Sequence, residues 1–460
     1  MVNGVNGSLD ILAELLAGQW QQEAATPTFH PQQSFVGIST DSRRIQPGHL
    51  FVALRGENFD GHDFVAEARQ KGAIAVIADR PVTGSYLQVA DTLTAYQQLG
   101  QWWRRQFQIP VIAITGSAGK TTTKDMLAAA LAGYGNVLKS PANHNNDIGL
   151  TQTLLDLTPQ HDYAVVELAM RGSGEIGRLT RVAQPTHALI TNIGTAHIGR
   201  LGSRQAIAQA KCELLGEMTA GVAILNGEDD LLLRTASQVW RGETLTYGLE
   251  RGGMQGEWDP FTQSVVVEGV RMPVPLAGRH HALNWMAVLA SLRVLGLPWQ
   301  ELSHQPIPWQ ADRGRNHYLS LAGDVGLLDE TYNAAPEAMI AALHALKQTP
   351  GTRHWAILGG MRELGDFADE LYAQVGATAA QLGLYRVLLW DPDQEMAALA
   401  QQLPSPTLQV FREAAPLITT LHQEVQAGDR LLFKAARAVQ LETIMQAFLT
   451  GWDPIALPPL

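Results

Sequence analysis

The sequence predicts an α/β protein of three domains, and three observations predict it. The chain has 460 residues, and domains average about 150 residues each. From Val111 onward, short apolar runs rich in Val, Ile, Leu and Ala alternate with helical patterns, the mark of a parallel sheet covered on both faces. That alternation breaks at a Pro-rich stretch, "HQPIPWQADRGRN" (304–316), and then restarts. The expected domains are therefore 1–107, 108–316 and 317–460.

In the first domain, "SFVGIS", "HLFVAL" and "AIAVIA" suggest strands. In the second, "VIAIT" (111–115) precedes a helix from Lys120, and "YAVVEL" (163–168) precedes "GEIGRLTRVA". "HALITNIG" (187–194) precedes "SRQAIAQAKCELL", and "GVAILN" (221–226) follows. Over 245–277 the pieces "ETLTYGL", "QSVVVEG" and "RMPVPLAG" predict a small antiparallel insertion or edge, closed by the amphipathic helix "RHHALNWMAVLASLRVLG". The Pro-rich stretch has the composition of a linker. The third domain shows "VGLLDE", "PEAMIAALHAL", "HWAILGG", "DELYAQVGATAAQLG", "RVLLW" and "DRLLFKAA" in turn.

Composition narrows the function. The chain is 46% hydrophobic and 17% charged, with net charge -11. It has no Lys/Arg-rich run, which argues against a nucleic-acid partner. A single cysteine, Cys212, allows no intramolecular disulfide and fits a reducing compartment. The N-terminus lacks a signal-peptide pattern, and no apolar run reaches membrane-span length. A soluble, cytoplasmic protein is expected.

Chemistry concentrates at "TGSAGKTTT" (115–123), between a strand and a helix. Gly116 and Gly119 let the backbone turn its N–H groups of Ser117 and Ala118 toward an anion. The helix N-terminus adds partial positive charge. Lys120 would neutralise outer phosphates, and Thr121 or Thr122 would offer a hydroxyl to Mg2+. The usual Gly-x-x-x-x-Gly-Lys-Ser/Thr spacing fails because Ile114 stands where the first Gly belongs. No Asn/Thr-Lys-x-Asp guanine reader is present, which weakens a GTPase switch. Glu167 and His197 end or follow neighbouring strands, so they should face the crevice of the cradle and suit Mg2+. Lys211 in the next helix has no function legible from its surroundings alone.

Together these segments resemble the Mur ligases of peptidoglycan synthesis over nearly the whole chain. The shortened cradle "GSAGKTTTK" is similar to that family's form. "NHNNDIGLTQTLL" (143–155), "HALITNIGTAHIGRLGSRQAIAQAKCELL" and "LLDETYNAAPEAM" resemble segments of the member that adds a dipeptide. "STDSRRIQPGHLFVALRGENFDGHDF" (39–64) resembles its uridine-binding domain. The resemblance implies an N-terminal α/β uridine-binding domain, a central P-loop ATPase-like parallel sheet and a Rossmann-like C-terminal domain. It implies ATP-dependent joining of D-alanyl-D-alanine to UDP-N-acetylmuramoyl-tripeptide through an acyl phosphate. A monomer is expected.

The resemblance also implies residue roles. Thr121 and Glu167 would hold one Mg2+ and His197 a second, with Lys211 carbamylated so that it binds or orients a metal. Asn284 and Asn333 would lie by the adenine, Asp329 by the ribose, and Arg315 by the γ-phosphate. Thr40, Ser42 and Arg43, with Asp60 and His62 nearby, would form the UDP pocket, and Asn145 and Asn146 would touch or support the muramoyl-peptide. Three places depart from the family pattern: His281 replaces Asn, Gly360 replaces Asp, and Ala435–Ala436 replace Gly-Ser after Lys434, itself a candidate dipeptide contact. The ligase that adds the third residue carries an Asp-Asn-Pro-Arg motif absent here. Folylpolyglutamate synthetases lack the domain of ~100 residues ahead of the cradle. The intact Lys120, Glu167, His197 and Lys211 argue against a non-catalytic scaffold.

Overall fold

A computed structural model describes residues 4–22, 32–56, 58–304, 307, 309 and 313–452. Of the expected linker 304–316, residues 305, 306, 308 and 310–312 lie outside the described residues, as do residues 1–3 of the N-terminus. The described chain forms three α/β units, each around its own sheet.

The first unit has a five-stranded sheet in the order Gln19–Gln21, Tyr86–Gln88, Ala75–Ala78, Leu50–Val52 and Ile38–Ser39. The expected strand "SFVGIS" is split: Ser34–Phe35 pairs instead with Gly7–Ser8 as a separate antiparallel ribbon. Helix Thr92–Arg104 precedes the expected boundary at 107 yet packs against the central unit. Its Trp103 donates from Nε1 to the Leu157 carbonyl at 3.0 Å, and Gln97 donates to Asp147 at 2.6 Å. Tyr96 and Leu99 share one buried core with Leu150 and Leu154.

The central sheet has nine strands. Strand Val111–Thr115 lies inside it, paired in parallel with Tyr163–Glu167 on one side and His187–Ile190 on the other. The runs are apolar throughout because helices cover both faces; Lys120–Leu131 and Arg279–Val294 close one of them over a core that includes Met126, Leu127, Trp285 and Leu289. "ETLTYGL" does not belong to an antiparallel insertion. Its strand, Glu243–Gly248, extends the parallel sheet beside Val222–Asn226. Only Met254–Asp259, Ser264–Val267 and Val270–Pro273 pair antiparallel, and they finish the same sheet's edge.

The third sheet runs in the order His317–Leu321, Val325–Glu330, Asp429–Lys434, Arg353–Gly359, Arg386–Trp390 and Leu408–Phe411, with only the first strand antiparallel to its neighbour. Asp429, fully buried, organises one end. It accepts two hydrogen bonds from Arg353 at 2.8 and 2.6 Å, one from Trp355 Nε1 at 3.1 Å and one from the Gln426 backbone at 2.8 Å. Replacing Asp429 by Ala strands these donors, at a cost of roughly 3–5 kcal/mol. Calorimetry should show the unfolding transition of this unit falling by about 10 °C or more.

Candidate functional site

The order of the central sheet sets the site. The chain leaves Val111–Thr115, Tyr163–Glu167 and His187–Ile190 on the same edge, and neighbours on both sides of a central strand make the switch-point crevice of open α/β sheets. The cradle 116–119, Glu167 and the loop 191–197 therefore converge. A cavity of about 440 Å³ is lined by Ser117, Ala118, Gly119, Lys120, Thr121 and Thr122, together with Asn145, Glu167, Asn192, His197 and Asn284. The third unit closes its other side with Arg315, Glu330, Tyr332, Asn333, Glu337 and Lys434.

The cradle is built for close approach. Gly116 has φ +150 and Gly119 φ +80. A Cβ on Gly116 would collide with the Thr191 hydroxyl, and one on Gly119 would stand 2.6 Å from Asn284 Oδ1. Loop 191–194 braces the turn: the Ser117 backbone N–H donates to the Asn192 carbonyl at 3.0 Å, that of Ala118 to Asn192 Oδ1 at 2.9 Å, and that of Gly194 to Ser117 Oγ at 2.8 Å. Helix Lys120–Leu131 has no capping side chain at Gly119, so its first-turn N–H groups lack intrahelical acceptors and suit an anion. Lys120 Nζ curls back to the Gly116 carbonyl at 2.8 Å. Burial lowers its pKa, against the pull of Glu167.

Beside the cradle, Thr121 Oγ1 donates to Glu167 Oε2 at 2.8 Å, and Asn145 Nδ2 donates to Glu167 Oε1 at 2.8 Å. A hydroxyl and a carboxylate this close, next to an anion-binding helix end, are the hard oxygen donors that Mg2+ prefers. His197 lines the same cavity, with Nδ1 bonded to Glu363 of the third unit. Burial lowers its pKa, and nearby Lys120 and Lys211 add to that, while Glu363 opposes it. The imidazole thus tends to the neutral, ligating form.

Lys211 does not line the cavity, though it is near enough to act on His197 electrostatically. It is 2% exposed, and no described residue hydrogen-bonds or ion-pairs with its side chain. Burial, with Lys120 second, pushes its pKa well below the lysine range. A buried amine held neutral is a nucleophile.

Several expected contacts fall elsewhere. Asp329 does not line the cavity; its carboxylate accepts from the Gly314 N–H at 2.8 Å and the Thr331 hydroxyl at 2.7 Å, which holds the turn carrying Arg315. Neighbouring Glu330 lines it instead and pairs with Lys434 at 2.5 Å, so Lys434 is spent on the cavity wall. Asn146 caps helix Asp147–Leu155 by accepting from Gly149 N at 2.9 Å. Thr40, Ser42, Arg43, Asp60 and His62 lie in the first unit, away from this cavity. There, Ser42 donates to Glu67 at 2.8 Å, Arg43 pairs with Asp41 at 2.9 Å, and His62 is buried against Asp60 at 2.5 Å.

Sequence reasoning missed Asn192, Tyr332, Glu337 and Glu363. Arg315 lies 3.8 Å over the Tyr332 ring. Glu337 accepts from the Thr195 backbone N–H at 2.7 Å and from its hydroxyl at 3.1 Å. His281, at the departure from the family pattern, bonds through Nε2 to Asn316 Oδ1 at 2.8 Å, and burial lowers its pKa to about 4. Ligand atoms of His280, His281 and Glu330 lie within 4.8 Å of one another, but the ammonium of Lys434 beside Glu330 repels a cation there.

Three family models match the chain: the Mur ligase family catalytic domain over residues 34–101, the Mur ligase middle domain over 114–292, and the Mur ligase glutamate ligase domain over 314–437. The UDP-N-acetylmuramoyl-tripeptide–D-alanyl-D-alanine ligase of Synechocystis sp. is 47% identical, covering 90% of this chain and 91% of its own. A crystal structure of MurF from Acinetobacter baumannii superposes with a TM-score of 0.87 at 32% identity, over 98% of this chain and 100% of the other. MurF ligase from Thermotoga maritima in complex with ADP gives 0.81 at 28% identity, over 90% and 97%.

The cradle geometry makes one test direct. In Gly119→Ala, the positive φ costs roughly 1–3 kcal/mol, and the new methyl meets Asn284. The strain is present with or without nucleotide, so the melting temperature of the free chain should fall by several degrees, roughly 2–10 °C. ATP affinity measured by calorimetry should fall about 10-fold or more, because the methyl and the shifted Asn284 crowd the cradle.

Proposed function

The chain belongs to the Mur ligase family, and from that premise we propose that it joins D-alanyl-D-alanine to UDP-N-acetylmuramoyl-tripeptide at the expense of ATP. The product would be the UDP-linked pentapeptide used for peptidoglycan synthesis. The reading is carried by one observation: the cradle, the Thr121–Glu167 pair, His197 and the third unit's Arg315 border a single cavity. The names of close relatives supply the substrates. In this reading the reaction runs in the cytoplasm and the chain acts as a monomer.

In this reading the tripeptide's terminal carboxylate attacks the γ-phosphorus and ADP leaves. The dipeptide amine then attacks the acyl phosphate carbonyl, and the tetrahedral adduct expels phosphate. A carboxylate and a triphosphate repel each other, so the residues must offset charge. Gly116 and Gly119 admit the phosphates, the first-turn N–H groups bind them, and Lys120 and Arg315 neutralise the transferring group. Asn284 of the central unit and Asn333 of the third unit line the cavity and would face the nucleotide, and Asp329 would act by holding the Arg315 turn rather than by touching ribose. Thr121 and Glu167 would hold one Mg2+ and His197 another; bound Mg2+ supplies charge neutralisation between the two anions. Thr40, Ser42 and Arg43, with Asp60 and His62 nearby, would bind the UDP end, while Asn145 and the helix capped by Asn146 would support the peptide end.

Carbamylation of Lys211 fits its surroundings. Its amine is buried and held neutral, and it lies close enough to His197 to act on it. The neutral amine adds CO2 and releases a proton, which leaves a carbamate anion able to bind or orient a metal.

Phosphate release tests the activity. With ATP and the UDP-tripeptide, D-alanyl-D-alanine should release phosphate and single amino acids should not; no release with the dipeptide overturns the proposal. Lys211→Ala should lose more than about 100-fold in kcat, with partial recovery in added acetate, which restores a carboxylate. Full activity in Lys211→Ala would remove the carbamate from this account.

A further inference from the structure

The tautomer of His197 is set from another sheet. His197 stands on the central unit at a left-handed φ of 67, at the start of helix Ile198–Leu201. Its Nδ1 bonds to Glu363 Oε2. Glu363 belongs to the third unit, just beyond strand Arg353–Gly359, and is itself left-handed at φ 64. Its other oxygen accepts from Arg200 Nε at 2.9 Å, and its carbonyl accepts from the Gly199 N–H at 2.9 Å. The two backbones nearly touch: a Cβ on Gly199 would lie 2.8 Å from the Leu364 carbonyl carbon. A side chain longer than glycine at 199 would push Glu363 away.

A carboxylate only accepts, so the proton of the neutral ring sits on Nδ1 and the lone pair remains on Nε2. Carboxylates commonly orient metal-binding histidines in this way. Here the orienting group and the ligand come from different units. We propose that Glu363 is a positioning residue that gives His197 its cation-binding tautomer only while the third unit is docked on the central one. Docking and cation binding at His197 are thereby coupled, and by linkage each favours the other. This rests on the reading of His197 as a metal ligand.

The test uses Mn2+ as probe, with the full chain and ADP, and reads bound ion by electron paramagnetic resonance. Glu363→Ala should weaken one Mn2+ site by about 10- to 100-fold, with ADP affinity in EDTA unchanged. Glu363→Gln keeps an acceptor oxygen and should stay within about threefold of the parent. Arg200→Ala breaks an ion pair in the same contact but spares the Nδ1 bond, and should also stay within about threefold. Parental Mn2+ affinity in Glu363→Ala overturns the proposal, and so does an equal loss in Arg200→Ala, which would mark a docking effect alone. A parent chain with no saturable Mn2+ site overturns instead the metal reading on which the proposal stands.

Discussion

Strand Val111–Thr115 pairs in parallel on both sides, and the site follows from that. Parallel neighbours end on the same edge of a sheet. A helix N-terminus without a cap, the carboxylate of Glu167 and the loop 191–197 are thus delivered to one place by three separate strands. An edge position would have removed one of the three. The same logic operates across the cavity. In the third sheet Glu330 and Lys434 are register partners at the carboxyl ends of Val325–Glu330 and Asp429–Lys434. Two carboxyl edges face each other, and Glu337 and Glu363 tie them by reaching to Thr195 and His197.

Much of this was legible in the sequence. Apolar runs of four to seven residues between helical patterns marked the inner strands, because strands buried on both faces have no polar side to hide. The cradle was legible because glycine, lysine and threonine each have a distinct task at a strand-to-helix turn. Edge strands were not. "HYLSL" and "LQVF" are partly exposed and carry polar residues, so they lack a continuous apolar signal. "ETLTYGL" resembled an antiparallel piece because its first residues are exposed at the wall of the sheet, although its pairing is parallel.

The site residues divide on the same physical grounds. Residues at a recognisable strand end or in the loop that follows it could be placed beside the cradle from sequence, as Glu167 and His197 were. Asp329 and Glu330 could not be told apart, since successive strand residues point to opposite faces and a motif does not reveal which face meets the cavity. Glu337 and Glu363 were invisible for another reason. Their partners are 142 and 166 residues away, and only the packing of one sheet against another brings them together.

Two of the three departures from the family pattern are neighbours. The Ala436 backbone N–H donates to the Gly360 carbonyl at 3.0 Å, so positions 360 and 435–436 meet at the ends of adjacent strands. Gly360 carries no acid, but Glu395 Oε2 comes within 3.5 Å of where its Cβ would be. Arg362 holds Glu395 there, and also pairs with Asp393 at 2.9 Å. A carboxylate from the loop after strand Arg386–Trp390 thus lies beside the position that lacks an acid. Ala435 and Ala436 are buried, so the chain just beyond strand Asp429–Lys434 packs as part of the core. None of these positions lines the cavity, so the departures change how the strand ends of the third sheet pack, with a carboxylate from a neighbouring loop, fixed by an arginine, set against the glycine.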